Sequence, residues 1–389
     1  MRNRPEGSFF DMHGSTTIAL TFLLLSAIAA QAQSFDLLYT FRGSPDSNSS
    51  STSLVQDTAG NLYGTAGGGA YGLGTVFKLD PSGTETVLHS FAGGIGDGEF
   101  PQAGLRLDKN GNLYGTTNLG GKTSNGVVFK IDPTGNETIV YNFAGGTTDG
   151  CYPLGGLVMD KNGRLYGTTN RCGTFGNGTV FRLTAGGKET TLHSFAGGAS
   201  DGENPYWTTP IIDQAGNLYG VAFGGGTQQI GVVYKLSPTG VLKVLHSFTG
   251  GTTDGCYPFG NLAMDNLGNL YGAASACGAF GYGTVWELNH RGNEKTLHNF
   301  SGPDGEYPRA GVVRDANGNL YGDAQWGGAY GLGTVYRLSP SGRFGVLHTF
   351  NATDGEFPLG DLLIGATGTL YGTTSEGGST NAGTIWSLK

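Results

Sequence analysis

Four short stretches of the sequence place two carboxylates within three residues of each other, with a proline two positions later. They have the form Asp-Gly-Glu-x-Pro and begin at Asp97, Asp201, Asp304 and Asp354, while two related stretches read Asp-Gly-Cys-Tyr-Pro. Carboxylates accept hydrogen bonds from sugar hydroxyls, and together with carbonyl oxygens they also bind Ca²⁺. The motif therefore indicates a carbohydrate site or, as an alternative, a calcium site.

Aromatic residues are expected on the same face as these carboxylates, because flat apolar rings stack on sugars. The candidate ligand-binding residues are Asp97, Glu99, Asp201, Glu203, Trp207, Asp304, Glu306, Trp326, Asp354, Glu356, Tyr71 and Tyr330. The motif recurs in nearly every repeat of the chain, whereas a function needs few copies of a site. This recurrence favours a second interpretation, in which Asp-Gly-x-x-Pro shapes a loop and its aromatic residue fills a gap.

The elements that position these residues form a tandem repeat. The tripeptide Leu-Tyr-Gly occurs seven times, at intervals of 50 to 53 residues, which is the mark of a repeat architecture. One unit, residues 103–153, contains four short apolar runs, and turns such as Asp-Lys-Asn-Gly and Asp-Pro-Thr-Gly separate its hairpin pairs. Each unit is therefore predicted to be a four-stranded antiparallel meander, and the chain an all-β, seven-bladed β-propeller.

The two ends of the repeat array predict how the ring closes. The stretch Phe-Asp-Leu-Leu-Tyr-Thr-Phe at 35–41 is similar to the fourth strand of a unit, although no unit precedes it. The last unit ends after its third strand, Thr384 to Leu388. Since an open array would leave unpaired edge strands, we expect strand 35–41 to complete the last blade, with one strand from the N-terminus and three from the C-terminus.

The repeat pattern is similar to that of a known family. Units of the form GNLYGTT, GTVFKLDPSG, TVLHSF and DGxxPxxGL resemble the GloVer tandem repeats of exported bacterial proteins, from about residue 35 to residue 389. The resemblance implies a propeller-like architecture. It carries no catalytic residues over to this chain.

Histidines in the fourth strands could suggest a metal centre. They are His89, His193, His246, His298 and His348. Because strands in a sheet lie about 4.8 Å apart, the fourth strand of a blade is far from the axis, and histidines of successive blades cannot converge on one ion. We expect each histidine to be hydrogen-bonded within its own blade and predict no metal-ligating residue.

Four cysteines occur at equivalent places in the third and fifth units. Cys151 and Cys256 lie in crossovers between units, and Cys172 and Cys277 lie in turns between second and third strands. Crossovers and these turns share one face of a meander, and the other units have cysteine at neither place. We therefore predict the disulfides Cys151–Cys172 and Cys256–Cys277; a zinc site would require all four thiolates together.

The N-terminus predicts export. Residues 1–32 combine two arginines, an apolar core and an Ala-Gln-Ala site, as in a signal peptide, which leaves 33–389 as a single propeller domain that is secreted or periplasmic. The apolar segment is too short for a stable membrane span. A formal net charge of −8 without a cluster of basic residues argues against nucleic acid as a partner.

The predicted function is that of a binding or scaffold module whose crossover face meets a carbohydrate or a protein. The alternative is an extracellular polysaccharide hydrolase or lyase that uses carboxylates near the mouth of the central channel. No nucleophile motif is present and no spacing selects a pair of acids, so we assign no catalytic residue and no cofactor, apart from the calcium alternative. Unit four, with its extra residue and the stretch NPYWTTP at 204–210, is the main departure from repeat symmetry.

Overall fold

The computed structural model describes residues 34–389, so the predicted signal peptide lies outside the described residues. The chain forms a seven-bladed β-propeller with antiparallel pairing in the order first, second, third and fourth strand in each blade. We number blades 1 to 7 by the order of the seven Leu-Tyr-Gly tyrosines. No helix among residues 34–389 is long and apolar enough to span a membrane.

The strands repeat with similar bounds from blade to blade. The first strands are Val55–Gln56, Arg106–Leu107, Val158–Met159, Ile211–Ile212, the end of Gly255–Met264, Val313–Arg314 and Leu363–Ile364. The second strands are Leu62–Gly68, Leu113–Thr117, Leu165–Thr169, Leu218–Ala222, Leu270–Cys277, Leu320–Ala324 and Leu370–Glu376. The third strands are Thr75–Leu79, Val127–Ile131, Thr179–Leu183, Val232–Leu236, Thr284–Leu288, Thr334–Leu338 and Thr384–Leu388. The fourth strands are Glu85–Ser90, Glu137–Asn142, Glu189–Ser194, Leu242–Ser247, Glu294–Asn299, Phe344–Thr349 and, for blade 7, Phe35–Thr40.

Short additional strands lie in the crossovers between blades. They are Ser47–Asn48, Gly98–Glu99, Gly150–Cys151, Gly202–Glu203, the start of Gly255–Met264 and Glu356–Pro358. Three of them pair with further short strands just beyond a second strand, Leu119–Gly120, Arg171–Cys172 and Gly224–Gly225. The other three pair with the ends of second strands. One turn of 3₁₀ helix, Gly94–Gly96, precedes the crossover into blade 2. These pairs fix each crossover to the blade that it enters.

The N-terminal strand closes the ring as the sequence predicts. Phe35–Thr40 pairs antiparallel with Thr384–Leu388, and Phe35 lies opposite Leu388. Ser34 and Lys389 exchange two backbone hydrogen bonds, of 3.2 and 3.0 Å. Blade 7 therefore consists of one strand from the N-terminus and three from the C-terminus.

Aromatic pairs join each blade to the next. The phenylalanine that follows each fourth strand is fully buried and packs against the aromatic residue of the third strand of the following blade, with ring centroids 5.1 to 5.6 Å apart. One example is Phe91 against Phe129. Each such pair contributes roughly 0.5–1.5 kcal/mol beyond its buried area. The glycine of Leu-Tyr-Gly makes room for this ring, because a Cβ on Gly115 would lie 2.4 Å from Cζ of Phe129.

Candidate functional site

The crossovers and the turns between second and third strands share one face, as expected. Phe100, in a crossover, donates its backbone N–H to the carbonyl of Leu73 in such a turn. The two predicted disulfides form between these elements: Cys151 bonds to Cys172 and Cys256 bonds to Cys277. We call this side of the propeller the crossover face.

The aspartates of the Asp-Gly-Glu motifs are hydrogen-bonded to the blade that precedes each crossover. Asp97 accepts hydrogen bonds from the N–H groups of Ala92 and Gly98, both at 2.7 Å, and its carboxylate lies 3.2 Å from Nε2 of His89. Burial raises the pKa of Asp97, but the bonds from His89 and the backbone outweigh it and hold that pKa below its usual value. A carboxylate held in this way has a structural role in its crossover.

The same arrangement recurs around the ring. The histidine–aspartate pairs are His89–Asp97, His193–Asp201, His246–Asp254, His298–Asp304 and His348–Asp354, at 2.9 to 3.2 Å. In the other two blades Tyr39 and Tyr141 replace the histidine and donate their hydroxyl protons to Asp46 and Asp149. The prediction that each histidine is bonded locally is confirmed.

The remaining predicted residues are spread around the crossover face. Glu99, Glu203, Glu306 and Glu356 are half-buried, and Glu99 accepts a hydrogen bond from the N–H of Gly94. Tyr71, Tyr330 and Trp326 are exposed by 64%, 66% and 41%. Tyr71 lies in blade 1, whereas Tyr330 and Trp326 lie in blade 6, where Trp326 contacts Phe357. Trp326 exchanges two backbone hydrogen bonds with Glu306, of 2.8 and 3.1 Å. Tyr71 lies in a different blade, so the predicted residues form separate groups around the face instead of one site.

Trp207 lies in a cavity of about 370 Å³ on the crossover face. The cavity is lined by Asn170, Arg171, Asn204, Tyr206, Trp207, Phe223, Phe259 and Arg309. Its aromatic rings contact one another: Tyr206 lies 5.0 Å from Trp207, and Phe259 lies edge-on to Tyr206 at 5.6 Å, measured between centroids. We call this cavity the aromatic pocket. Residues of blades 3, 4 and 5 and of the crossover into blade 6 contribute to it.

The aromatic pocket exists because unit four departs from the repeat. Five of the other six crossovers place an aromatic residue before the proline, such as Phe100 or Tyr257, whereas unit four has Asn204 there and the crossover into blade 1 lacks the motif. The smaller side chain leaves space, and Asn204 adopts a positive φ of 51°, which asparagine tolerates better than bulky residues. The extra residue of unit four then places Trp207 in the wall beside Tyr206, which occupies the regular position after the proline.

Several polar atoms of the pocket-lining residues lack a hydrogen-bond partner among residues 34–389. They are Oδ1 of Asn170, Oδ1 of Asn204 and Nε1 of Trp207. Buried polar groups are normally hydrogen-bonded, so an unpaired group in a native structure calls for an explanation. Here the three atoms are enclosed in the wall of the pocket, so this wall is less completely hydrogen-bonded than is usual for buried polar groups.

A second, smaller cavity of about 30 Å³ lies at the axis and shares Trp207 and Arg309 with the aromatic pocket. At the axis Asp361 accepts hydrogen bonds from the N–H groups of Asn261 and Gly311 and from the hydroxyl of Ser53. The backbones converge so closely that a Cβ on Gly311 would lie 2.0 Å from the carbonyl oxygen of Asn261. Asp361 is half-buried, and desolvation raises its pKa.

One group of side chains has the composition of a metal site. The possible ligand atoms of His246, Asp254 and Glu294 lie within 4.8 Å of one another. Asp254 already accepts hydrogen bonds from the N–H groups of Thr249 and Gly255. Burial, followed by the charge of Asp254, raises the pKa of Glu294 to about 7. Because a raised pKa favours a protonated carboxyl, which is a poor ligand for a cation, we interpret this group as a contact between blades 5 and 4.

The sequence predictions included Trp207 but missed the rest of the aromatic pocket. The position after the crossover proline is occupied by Gln102, Leu154, Tyr206, Phe259, Arg309 and Leu359. It varies in an otherwise regular motif, and it faces the axis or the aromatic pocket. Variation between repeats, rather than recurrence, was the feature that could have located the site.

The fold and the pocket define a seven-bladed propeller with one asymmetric cavity on its crossover face. The family model described as the Gloeobacter/Verrucomicrobia repeat matches residues 24–209 and 206–389. The chain belongs to this family, and the resemblance to GloVer repeats is confirmed. No curated protein matches the chain.

Solved structures with a similar fold share little sequence with the chain. The extracellular domain of a putative one-component system from B. thetaiotaomicron superposes with a TM-score of 0.54 and 11% identity, over 91% of this chain and 40% of that one. A putative 6-phosphogluconolactonase from Bacteroides uniformis gives 0.51 and 17%, over 80% and 88%. A gluconolactonase from Xanthomonas campestris gives 0.42 and 16%, over 72% and 82%. At these identities the first two structures support the fold alone, and the third, with a TM-score below 0.5, supports no conclusion.

Proposed function

We propose that the protein is an exported carbohydrate-binding propeller and that the aromatic pocket holds a sugar ring. The observation that carries this proposal is the set of aromatic side chains, Tyr206, Trp207, Phe223 and Phe259, that line one cavity together with polar residues such as Asn204. Aromatic rings bind the apolar face of a sugar, while the few polar atoms set its orientation. Export is supported by the predicted signal peptide and by the two disulfides, which form in oxidising compartments.

Binding to a glycan array and isothermal titration calorimetry, with residues 33–389, test the proposal. Replacing Trp207 by alanine removes the ring shared by the aromatic pocket and the axial cavity, and we expect a loss of at least tenfold in affinity. Trp326→Ala is the matched control, because Trp326 is an exposed tryptophan on the same face outside the pocket. It should leave the affinity within twofold of the wild type. Thermal unfolding of both variants checks that they remain folded.

Unchanged binding in Trp207→Ala would contradict the assignment of the pocket. A parallel assay for release of reducing ends on the same glycans addresses the enzyme alternative. Acid–base catalysis by carboxylates requires a pair of acids near the substrate, and the residues that line the aromatic pocket include none. The adjoining axial cavity adds a single carboxylate, that of Asp361, which is not a pair. We therefore expect binding without turnover, and turnover would identify the protein as an enzyme instead.

A further inference from the structure

The aromatic pocket has a charge opposite to that of the protein. Its eight lining residues include two arginines, Arg171 and Arg309, and no aspartate or glutamate, whereas the chain has a formal net charge of −8. Low-dielectric walls strengthen the field of such charges inside a cleft. A pocket with this charge repels cations and favours an anionic ligand.

Neither guanidinium group is neutralised within the part of the chain that the structure describes. The ion pairs of residues 34–389 involve neither Arg171 nor Arg309. Arg309 lies over the ring of Phe259, 6.0 Å from its centroid. Asp361, the acidic residue that lines the axial cavity with Arg309, accepts its hydrogen bonds from Ser53, Asn261 and Gly311. Both guanidinium groups are exposed at the pocket, and their donors are available to a ligand.

We propose that the ligand is an anionic sugar, in which a carboxylate or a sulfate group pairs with Arg171 and Arg309 while the ring stacks on the aromatic wall. This inference rests on the proposed function and names its ligand class. A guanidinium presents a planar fork of N–H donors that matches the oxygens of a carboxylate or sulfate in a bidentate pair. Asn170 and Asn204 add polar side chains to the same lining.

Titration with matched glycans tests the ligand class. The probes are oligogalacturonate, the same oligomer with its carboxyl groups methyl-esterified, a sulfated galactan oligomer and a neutral galactan oligomer. We expect the protein to bind at least one anionic probe at least tenfold more tightly than its neutral counterpart, and raising the salt concentration from 50 to 500 mM should weaken that binding. Preference for oligogalacturonate would identify carboxylate as the anionic group, and preference for the sulfated oligomer would identify sulfate.

The variants Arg309→Gln and Arg171→Gln test the residues. Each should lower the affinity for the anionic probe about tenfold and change the affinity for the neutral probe by less than twofold. Arg291→Gln is the control, because Arg291 is an exposed arginine in a turn after a third strand and lies outside the pocket. Equal binding of esterified and free oligomers, abolished by Trp207→Ala, would overturn this inference and leave the proposed function intact. A protein that binds none of the four probes would contradict both.

Discussion

Asp323 occupies a buried position that threonine fills in four other blades. Thr65, Thr116, Thr168 and Thr373 each donate a hydroxyl proton to a carbonyl at the start of the next blade, at 2.9 to 3.2 Å. Asp323 is 1% exposed, and neither of its carboxyl oxygens has a partner among the described residues. Burial, followed by the charge of Asp361, raises the pKa of Asp323 well above its usual value. The unpaired carboxyl group of Asp323 therefore weakens the contact between blades 6 and 7.

We expect Asp323→Thr to stabilise the protein by about 1–3 kcal/mol at pH 7, because the hydroxyl can donate where a carboxylate cannot. The folded-state pKa of Asp323 lies above its unfolded value of about 4. The wild type is therefore relatively most stable below pH 4 and loses stability as the pH rises towards the folded pKa. Urea unfolding at pH 4, 5.5 and 7 should show that the gap between variant and wild type widens with pH.

Thr65→Asp in blade 1 is the reciprocal control for this prediction and should lose stability with the same direction of pH dependence. A gap that stays constant between pH 4 and pH 7, or a variant no more stable than the wild type at pH 7, would show that Asp323 finds a partner in solution.

The contacts of individual side chains were harder to predict from the sequence than the strands or the number of blades. The sequence correctly places the Asp-Gly-Glu motifs on the crossover face, but it does not reveal that Asp97 is bonded to His89, eight residues earlier in the chain. The opening of the aromatic pocket depends on Asn204, whose effect is to leave a space, and on Arg309, about 100 residues away. A space formed between distant residues has no local pattern, so only the departure of unit four from the repeat indicated it.

At the scale of elements, the two disulfides lie in the blades on either side of blade 4. Cys172 follows Asn170 and Arg171 of the aromatic pocket, and Cys256 lies in the same strand as Phe259. Each disulfide joins a crossover to the neighbouring turn, where blades 2 and 4 have only backbone pairing. The cysteines therefore stabilise the two walls of the cavity that unit four opens, which accounts for their presence in blades 3 and 5.

Replacing Cys151 and Cys172 together by alanine should lower the free energy of unfolding by roughly 3 kcal/mol, because the disulfide closes a loop of about 22 residues in the unfolded chain. The affinity for the pocket ligand should fall as well, since Arg171 and Asn170 lose the covalent restraint beside them. Chemical denaturation and calorimetry measure the two effects. The double variant of Cys256 and Cys277 is the comparison, with a similar loss of stability. Unchanged affinity in both double variants would show that the backbone pairs alone hold the pocket walls.

At the scale of the whole molecule, repeat counting predicts the number of blades and the closure of the ring, because both depend on local strand and turn patterns that recur. The centre of the ring could not be predicted in the same way. Asp361 of blade 7 contacts Ser53, Asn261 and Gly311 of three other blades, and the tight approach of these backbones follows from the geometry of the closed ring. The sequence analysis placed several carboxylates near the mouth of a central channel, whereas the cavity at the axis is lined by one, that of Asp361.

Because the ring is closed, the chain can be given new termini at another position without losing a strand pair. Lys389 donates its backbone N–H to the carbonyl of Ser34. Asp80 and Thr84, on either side of the turn after the third strand of blade 1, make the same hydrogen bond. In blade 1 that turn is Pro81-Ser82-Gly83. We predict that a circular permutant starting at Ser44, with Lys389 linked through Pro-Ser-Gly to residues 34–43, folds with a stability within about 1 kcal/mol of residues 34–389, since linking strands that already pair changes no native contact.

Deletion of residues 34–43 without this transfer should have the opposite result. It removes the strand paired with Thr384–Leu388 and the fully buried Phe41, and loss of one buried phenylalanine side chain alone costs about 3–5 kcal/mol, a large share of typical domain stability. Thermal unfolding and size-exclusion chromatography compare the two proteins. A deletion variant as stable as the permutant would mean that the first strand does not hold the ring closed. A permutant that fails to fold would mean that closure requires the strand to enter from the N-terminus.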